Sequence, residues 1–287
     1  MKKYLKLMRV HHYLKNVLIF LPLVFSQNLF DLTLLRKTIL GFLSFSILSS
    51  IVYIINDIQD VEKDRKHPTK CKRPIASGAV SVRNAYILAI VIAIVGITLN
   101  YFACGSNIWG WIFVLLYVGL NFAYSMGLKN LPIIDITILV SGFLLRVLYG
   151  AAVTSIQVSN WLYLTVIAMS FYLGLGKRRN ELDTQGSKSR KVLKFYNHDF
   201  LDKNMYMCLG LTIVFYSLWC VDGTTIARYS NSNIVWTVPL VMLICMKYSL
   251  DVEGNSDGDP VSVLLKDKIL MGMVFLYALI VLLIIYL

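Results

Sequence analysis

The sequence predicts an all-α integral membrane protein, a bundle of about nine transmembrane helices, and two properties of the chain carry that prediction. Hydrophobic residues make up 57% of its 287 residues and charged residues only 15%, whereas about a quarter of a typical soluble domain is charged. Apolar runs of about twenty residues, the length of a transmembrane helix, recur along the whole chain. Runs of this length exclude a membrane β-barrel, whose strands are about half as long.

Each apolar run is expected to form one transmembrane helix. No polar stretch between the runs is long enough for a separate soluble domain, so residues 1–287 are expected to form a single polytopic membrane domain. Pro22 and Ser26-Gln27-Asn28 make the first run the weakest, yet no small-residue cleavage pattern follows it, so we expect a retained helix rather than a signal peptide. The nine segments are 17–30, 38–57, 84–104, 109–126, 133–153, 161–177, 205–221, 233–249 and 269–287.

Lysine and arginine residues are divided unequally between the two sides of the predicted membrane. One side holds 24 of the 28; the other holds Arg36, Lys37 and Arg228, and Arg146 lies inside a segment. Because basic loops stay on the cytoplasmic side, the N-terminus and the large basic loops are expected in the cytoplasm and the C-terminus outside. This placement accounts for most of the net charge of +12, so a nucleic-acid partner is not indicated.

An acidic pattern, N-D-x-x-D-x-x-x-D, follows the second segment. On a continuing helix Asp57, Asp60 and Asp64 would fall within an arc of about 60°, forming one carboxylate stripe at the cytoplasmic mouth. Like charges on one stripe repel unless a cation lies between them, and oxygen ligands with open positions suit Mg²⁺. The alternative is a solvated helix end whose acids pair with Lys63 and Lys66.

Basic residues follow the acidic stripe within ten positions. Lys70, Lys72 and Arg73 lie in a loop that His67-Pro68 and Pro74 stiffen. Arginine offers a planar fork to phosphate oxygens and lysine offers a point charge. Carboxylates for a metal beside bases for phosphates predict a phosphate- or diphosphate-binding site at the membrane surface.

The string Asn56-Asp57-x-x-Asp60-x-x-x-Asp64 resembles the first aspartate-rich motif of the UbiA-type intramembrane prenyltransferase superfamily. The longer strings "HHYLKNVLIFLPLVFS", "YSMGLKNLPIIDI", "GFLLRVLYGAA" and "GKRRNEL" resemble one branch, the decaprenyl-phosphate phosphoribosyltransferases. The resemblance covers most of the chain to about residue 200, and the last three segments are generic.

This resemblance implies a UbiA-like helical bundle whose active site faces the cytoplasm and uses Mg²⁺ to bind a diphosphate. In this branch a 5-phosphoribosyl group passes from phosphoribosyl pyrophosphate to a polyprenyl phosphate, pyrophosphate is released, and the product serves cell-envelope synthesis. Asp57, Asp60 and Asp64 would then be the catalytic, metal-binding residues. The candidate substrate-binding residues are Lys15, Asn56, Lys70, Arg73, Tyr124, Lys129, Asp135, Arg146, Lys177, Arg178 and Glu181.

Other functions stay open alongside this one. The wider superfamily transfers a prenyl group from a prenyl diphosphate to an aromatic acceptor, and the basic character of the segment after the sixth helix argues against that reaction. A transporter with the acidic stripe as a cation site would need polar groups at mid-membrane on several helices, and few are present. A scaffold for anionic lipid would leave the acidic stripe without a purpose.

The segment after the sixth helix is "GKRRNELD". Aromatic prenyltransferases usually carry a second aspartate-rich motif there, whereas here three bases precede one Glu and one Asp. The change disfavours a second ordinary Mg²⁺ site and favours a donor with an additional phosphate. Three roles stay open for Glu181: an ion pair with Lys177 four residues earlier, a metal ligand, or a partner of a ribose hydroxyl.

Two charges lie within the fifth segment, and Lys15 opens the first. Asp135 and Arg146 differ by only about 20° around the helix, and Arg146 lies about 16 Å further along it. Intramembrane charges usually face a bundle interior or a wet cavity, so Arg146 is either part of a structural ion pair or a substrate-binding residue. Lys15 is either a phosphate contact or an ordinary positive-inside anchor.

Overall fold

The computed structural model describes residues 2–67, 69–185, 190–254 and 259–287, and these are helices joined by turns, with no β-strand among them. Short 3-10 helices cover Val10–Phe20, Lys70–Lys72, Leu128–Asn130, Lys191–Phe195 and Asn233–Thr237. The α-helices are α1 (Lys2–Leu7), α2 (Leu21–Phe25), α3 (Leu32–Gln59), α4 (Val61–Arg65), α5 (Val82–Cys104), α6 (Ile108–Met126), α7 (Ile134–Thr154), α8 (Asn160–Gln185), α9 (His198–Val221), α10 (Gly223–Tyr229), α11 (Val238–Glu253), α12 (Pro260–Lys266) and α13 (Lys268–Tyr286).

Eight of the nine predicted segments lie on helices along nearly their whole length, and the first does so over residues 17–25, which confirms the all-α membrane fold. Within the described ranges, seven helices are long and apolar enough to cross a membrane: α3, α5, α6, α7, α9, Asn233–Glu253 and α13. The sixth segment forms α8, whose last turns carry the charged "KRRNEL" sequence. The protein is therefore a multi-pass membrane protein, and the side on which each terminus lies stays a prediction.

The first segment differs from its prediction of one helix over 17–30. The chain forms a 3-10 helix over Val10–Phe20 and a short α-helix over Leu21–Phe25. Pro22 lies in the first turn of α2, where the amide hydrogen that proline lacks has no helical partner. The proline thus starts a new α-helix at the position where the sequence suggested an interruption.

The described chain divides into two compact units, each with its own core. Unit 1 comprises Met1–Met126 and Leu145–Ile156, and unit 2 comprises Gly127–Leu144 and Gln157–Leu287. The expectation of a single polytopic domain stays a prediction.

Small residues allow the helices of unit 1 to approach closely. Asp31 caps α3 by accepting hydrogen bonds from the backbone of Thr33 and Leu34, and α3 packs along α5. The Ser44 hydroxyl donates to the carbonyl of Gly96 at 2.8 Å. Small residues at such crossings are typical of packed membrane helices. The core of this unit includes Ile19, Phe45, Tyr117, Leu145 and Tyr149.

Unit 2 is organised around the packing of α8 against α9. The 3-10 helix Lys191–Phe195 inserts Val192 and Leu193 into the core, where both are fully buried. Asn197 then caps α9, its side chain accepting from the backbone of Phe200. The described residues 190–203 of the polar segment that follows α8 therefore form this core-anchored 3-10 helix and the start of α9.

Candidate active site

The acidic stripe lies at a bend between two helices of unit 1. The prediction of one continuous helix is wrong here, because α3 ends at Gln59 and α4 begins at Val61, with Asp60 between them. The backbone hydrogen bonds from Asp60 to Asn56 and from Asp64 to Asp60 persist, so the chain bends without unwinding. Asp57 and Asp64 are each only 3% exposed.

Asp60 behaves differently from the two buried acids. Its side chain is 38% exposed and lies 3.6 Å from the Lys63 ammonium, the pairing considered above as the alternative to metal binding. Exposed pairs of this kind contribute little to stability. Asp60 is therefore accessible to solvent and to a ligand, whereas Asp57 and Asp64 are buried and each pairs with an arginine.

Two arginines occupy the space beside the buried carboxylates. Arg73 Nη1 lies 2.7 Å from Asp64 Oδ2 and 3.1 Å from Asp57 Oδ1. Arg9 Nη2 lies 2.8 Å from the same Asp57 oxygen, and its guanidinium stacks over the Tyr53 ring at 4.7 Å. Two carboxylates and two guanidiniums thus alternate at the end of α3. The sequence pattern indicated Arg73 but not Arg9.

The side chains at this bend fit Mg²⁺ as a ligand set. The described residues contain no group of three or more His, Cys, Asp or Glu side chains arranged to hold a metal. However, Asn56 Oδ1 is a buried oxygen without a hydrogen-bond partner, and it lies on the same helical turn as Asp57 and Asp60. Mg²⁺ is bound by oxygen, commonly through one or two carboxylates with waters and substrate phosphates completing its shell.

The loop after α4 is fastened to the N-terminal helix. Lys3 Nζ donates to the carbonyl of Ala79 at 3.0 Å, and Lys6 Nζ donates to that of Lys72 at 3.2 Å. Lys70 is exposed. Pro68, expected to stiffen this loop, lies outside the described residues.

Arg146 lies deep in unit 1 and is 6% exposed. Its Nε donates to Asn16 Oδ1 at 2.7 Å and its Nη2 to the Tyr117 hydroxyl at 3.1 Å. Asn16 in turn donates to Ser46 at 2.8 Å. These bonds fasten the 3-10 helix that carries Lys15 to α3, α6 and α7. Lys15 itself is half-buried.

Unit 2 contains a second, more deeply buried charged cluster. Asp135 and Arg178 are both fully buried, with Arg178 Nε 2.6 Å from Asp135 Oδ2. Arg178 Nη1 also lies 2.7 Å from Glu181 Oε2, which Arg190 Nε reaches at 3.2 Å. Tyr196 donates its hydroxyl to Asp135 Oδ1 at 2.6 Å. Burial raises the pKa of Tyr196, and its bond to the Asp135 carboxylate raises it further, so the phenol stays a proton donor.

These contacts bear on the roles left open for the segment after the sixth helix. The ion pairs of Glu181 go to Arg178 and Arg190, and neither was among its three proposed roles. Lys177 is half-buried, whereas Arg178 is enclosed by protein. Tyr124 in α6 and Lys129 in the 3-10 helix Leu128–Asn130 are half-buried.

An apolar cavity lies in unit 2 beside this cluster. Its volume is about 410 Å³, and Asn204 is the one polar residue among its lining side chains. The start of α7 and long stretches of α8 and α9 form its walls. The lining includes Ile133, Ile136, Leu164, Ala168, Leu211 and Phe215.

Comparison with known proteins now assigns the family. The model of the UbiA prenyltransferase family matches residues 17–266. The chain belongs to this family. It is 31% identical to the decaprenyl-phosphate phosphoribosyltransferase of Mycolicibacterium smegmatis, over 93% of this chain and 87% of that protein. It is also 31% identical to the enzyme of that name from Corynebacterium glutamicum, over 93% of this chain and 81% of that protein.

Solved structures of UbiA homologs share the fold of this chain. A UbiA homolog from Archaeoglobus fulgidus bound to GPP and Mg²⁺ superposes with a TM-score of 0.70 at 19% identity, covering 98% of this chain and 99% of that one. At this level of identity the likeness establishes the fold. The family match and the two phosphoribosyltransferase relatives identify the chain as a membrane transferase.

The residues that sequence reasoning missed share one property. Arg9, Asn16, Arg190 and Tyr196 each contact a named candidate, but from a different element of the chain. Arg9 and Asp57 are separated by 48 positions, and Asn16 and Arg146 by 130. The sequence offered only a general indication of these contacts: the N-terminus that contains Arg9 is basic, but nothing in it points to Asp57 as the partner.

Proposed function

We propose that this UbiA-family transferase moves a 5-phosphoribosyl group from phosphoribosyl pyrophosphate to a polyprenyl phosphate, with release of pyrophosphate and with Mg²⁺ as the cofactor. The observation that carries the proposal is the alternation of Asp57 and Asp64 with Arg9 and Arg73 at one helix end. Acids that suit a metal and guanidiniums that suit phosphate oxygens are the two requirements of a metal-diphosphate site. The similarity to phosphoribosyltransferases over 93% of the chain supports the choice of donor.

The reaction is a substitution at C1 of the ribose. The bond from C1 to the pyrophosphate oxygen breaks, and pyrophosphate leaves with the electron pair. An oxygen of the lipid phosphate forms the new bond to C1. Because a phosphate monoester is already anionic near neutral pH, the acceptor needs no strong general base. The protein's task is therefore to position two anions and stabilise the charge that develops between them.

The residues of unit 1 divide this work between them. Asp57, Asp60 and Asp64 would hold Mg²⁺ with Asn56, and the metal, when bound, would supply charge neutralisation on the departing pyrophosphate. Arg73 and Lys70 would contact the phosphate oxygens of the donor, with Lys15 as a further contact. Arg146 keeps the segment that carries Lys15 in place through Asn16.

In unit 2, Arg178 supplies the cation that Asp135 and Glu181 need. A guanidinium between two carboxylates compensates their charges within the protein itself. We therefore assign Arg178 and Asp135 to the organisation of this segment. Lys177, Lys129 and Tyr124 remain candidate contacts for substrate phosphates. The apolar cavity of unit 2 is a candidate site for the isoprenoid chain of the lipid.

The proposal is tested by direct transfer. Purified protein in detergent is incubated with Mg²⁺, a polyprenyl phosphate and radiolabelled phosphoribosyl pyrophosphate, and the lipid is extracted into organic solvent. We expect label in the lipid phase, lost with EDTA and reduced at least about 100-fold in Asp57→Asn, as expected for loss of a metal ligand. Glu62→Gln is the matched control, since Glu62 is an exposed acid in α4 that pairs with Arg65.

The same assay separates the alternatives. If no label enters the lipid, but a prenyl group passes from a prenyl diphosphate to an aromatic acid, then the fold and metal site stand and the donor is wrong. If neither transfer occurs and labelled cation enters proteoliposomes, the chain is a transporter.

A further inference from the structure

Arg9 has a backbone conformation that few residues other than glycine adopt. Its φ of 53° and ψ of 48° are left-handed, a conformation that is uncommon for side-chain-bearing residues and is concentrated at functional sites. It joins α1 to the 3-10 helix Val10–Phe20. It also precedes residue 17, where the match to the family model begins.

The location of Arg9 is set by contacts other than its own ion pair. Leu7 is fully buried and packs in a cluster with Ile54 and Ile75. The lysines at positions 3 and 6 fasten α1 to the loop that follows α4. The Arg9 backbone is therefore held beside the carboxylates, and the side chain can exchange partners without unfolding the segment.

Arg9 and Arg73 differ in the number of carboxylates with which each guanidinium pairs. Arg73 contacts both Asp57 and Asp64, whereas the ion pair described for Arg9 goes to a single oxygen of Asp57. Its remaining described contact is the face of the Tyr53 ring, which would still support the guanidinium after that ion pair breaks. Arg9 is therefore the cation that a metal on Asp57 displaces most easily.

The charges favour such an exchange. Asp57 is almost completely buried, and a buried carboxylate without a cation is strongly destabilised. Two carboxylates and two guanidiniums give a neutral set. A divalent cation added to Asp57 leaves an excess of positive charge, which a ligand with several phosphate oxygens would neutralise. A guanidinium freed from Asp57 is suited to bind two such oxygens at once.

We propose that Arg9 is a further donor-binding residue, which neutralises Asp57 while the metal is absent and moves to the phosphate oxygens of the donor when Mg²⁺ takes that carboxylate. The inference rests on the proposed function for the identity of the donor. It predicts opposite effects of one substitution: removal of Arg9 should strengthen metal binding and weaken donor binding. A residue that only stabilises the fold would weaken both.

The test uses the full-length protein in detergent and measures binding, not turnover. In Arg9→Gln without donor, Mn²⁺ followed by electron paramagnetic resonance should bind about tenfold more tightly, the size of one charge-assisted hydrogen bond. Labelled phosphoribosyl pyrophosphate with saturating Mg²⁺ should bind at least about tenfold more weakly. The matched control is Arg65→Gln, which removes the same charge from an exposed guanidinium paired with Glu62 and should leave both affinities within about twofold.

The remaining results of these binding measurements either support or refute the role of Arg9. If both affinities fall in Arg9→Gln, or neither changes, the exchange is refuted. Should Arg9→Gln fail to fold, Arg9→Lys carries the test, since it keeps the charge but loses the fork and should weaken donor binding alone. Inorganic pyrophosphate serves as a second probe. If the wild type binds pyrophosphate but not phosphoribosyl pyrophosphate, and Arg9→Gln weakens pyrophosphate binding, the proposed donor is wrong and the role of Arg9 stands.

Discussion

Replacement of Arg178 by methionine should be among the most destabilising single changes in unit 2. The Arg178 and Asp135 side chains are both 0% exposed and are joined at 2.6 Å. Methionine keeps the unbranched apolar stem but carries no charge, so Asp135 would retain the hydroxyl of Tyr196 without a guanidinium. Breaking a buried pair by removing one partner costs about 3–5 kcal/mol, because the other charge is left uncompensated. Glu181 would lose less, because Arg190 also reaches it.

A melting curve in detergent measures this cost. Each kcal/mol shifts the melting temperature by about 2–4 °C in chains of 150–250 residues, so Arg178→Met should melt roughly 6–20 °C below the wild type. Arg179→Met is the control on the adjacent position, where the guanidinium is 18% exposed and its acidic partners are themselves partly exposed. It should cost only about 1 kcal/mol.

A double substitution separates lost charge from lost packing. Arg178→Met with Asp135→Asn leaves no charge uncompensated at this pair, and asparagine can still accept from Tyr196. The double variant should therefore recover part of the stability that Arg178→Met loses. If Arg178→Met melts within about 2 °C of the wild type, the assignment of Arg178 as an internal cation is refuted.

Two further predictions follow from the packing of each unit. A Cβ at Gly150 would overlap the backbone carbonyl of Ile19, so Gly150→Ala should reduce the free energy of unfolding by about 1–3 kcal/mol. This loss would be measured as a lower melting temperature. An unchanged melting temperature would show that the 3-10 helix Val10–Phe20 does not pack against α7. Ala168→Trp fills the apolar cavity of unit 2 and should raise the KM for a long polyprenyl phosphate without changing that for phosphoribosyl pyrophosphate. Leu115→Trp, at an exposed position on α6, is its control; equal effects of the two variants would exclude the cavity as the lipid site.

The fold was largely predictable because each helix is specified by its own residues. Apolar runs of membrane-spanning length located all nine segments, since an unsatisfied backbone in lipid leaves a helix as the available conformation. The first segment was harder to predict. Its proline and polar residues indicated an interruption, but the 3-10 geometry of Val10–Phe20 depends on packing against Arg146 and Gly150, far along the chain.

The charged sites were predictable only in part, for the same reason. Helical periodicity relates residues within one element, so it placed Asp57 and Asp64 on a common face but could not detect the bend at Asp60. It also could not pair Arg9 with Asp57, or Tyr196 with Asp135, across 48 and 61 positions. Each of those contacts satisfies a charge that burial would otherwise make costly.

A buried carboxylate indicates that a cation must lie beside it in the fold, but not which basic residue of the sequence supplies that cation. An acid at the end of an apolar run must meet a cation if it is buried, and the basic residues that adjoin it in sequence are the first candidates. At the end of α3 those neighbours are Lys63 and Arg65, and both instead pair with the exposed acids Asp60 and Glu62. The cations for Asp57 are Arg9 and Arg73, which lie 48 and 16 positions away in the sequence. Contact in the fold, rather than nearness in the sequence, therefore determines which bases belong to the site.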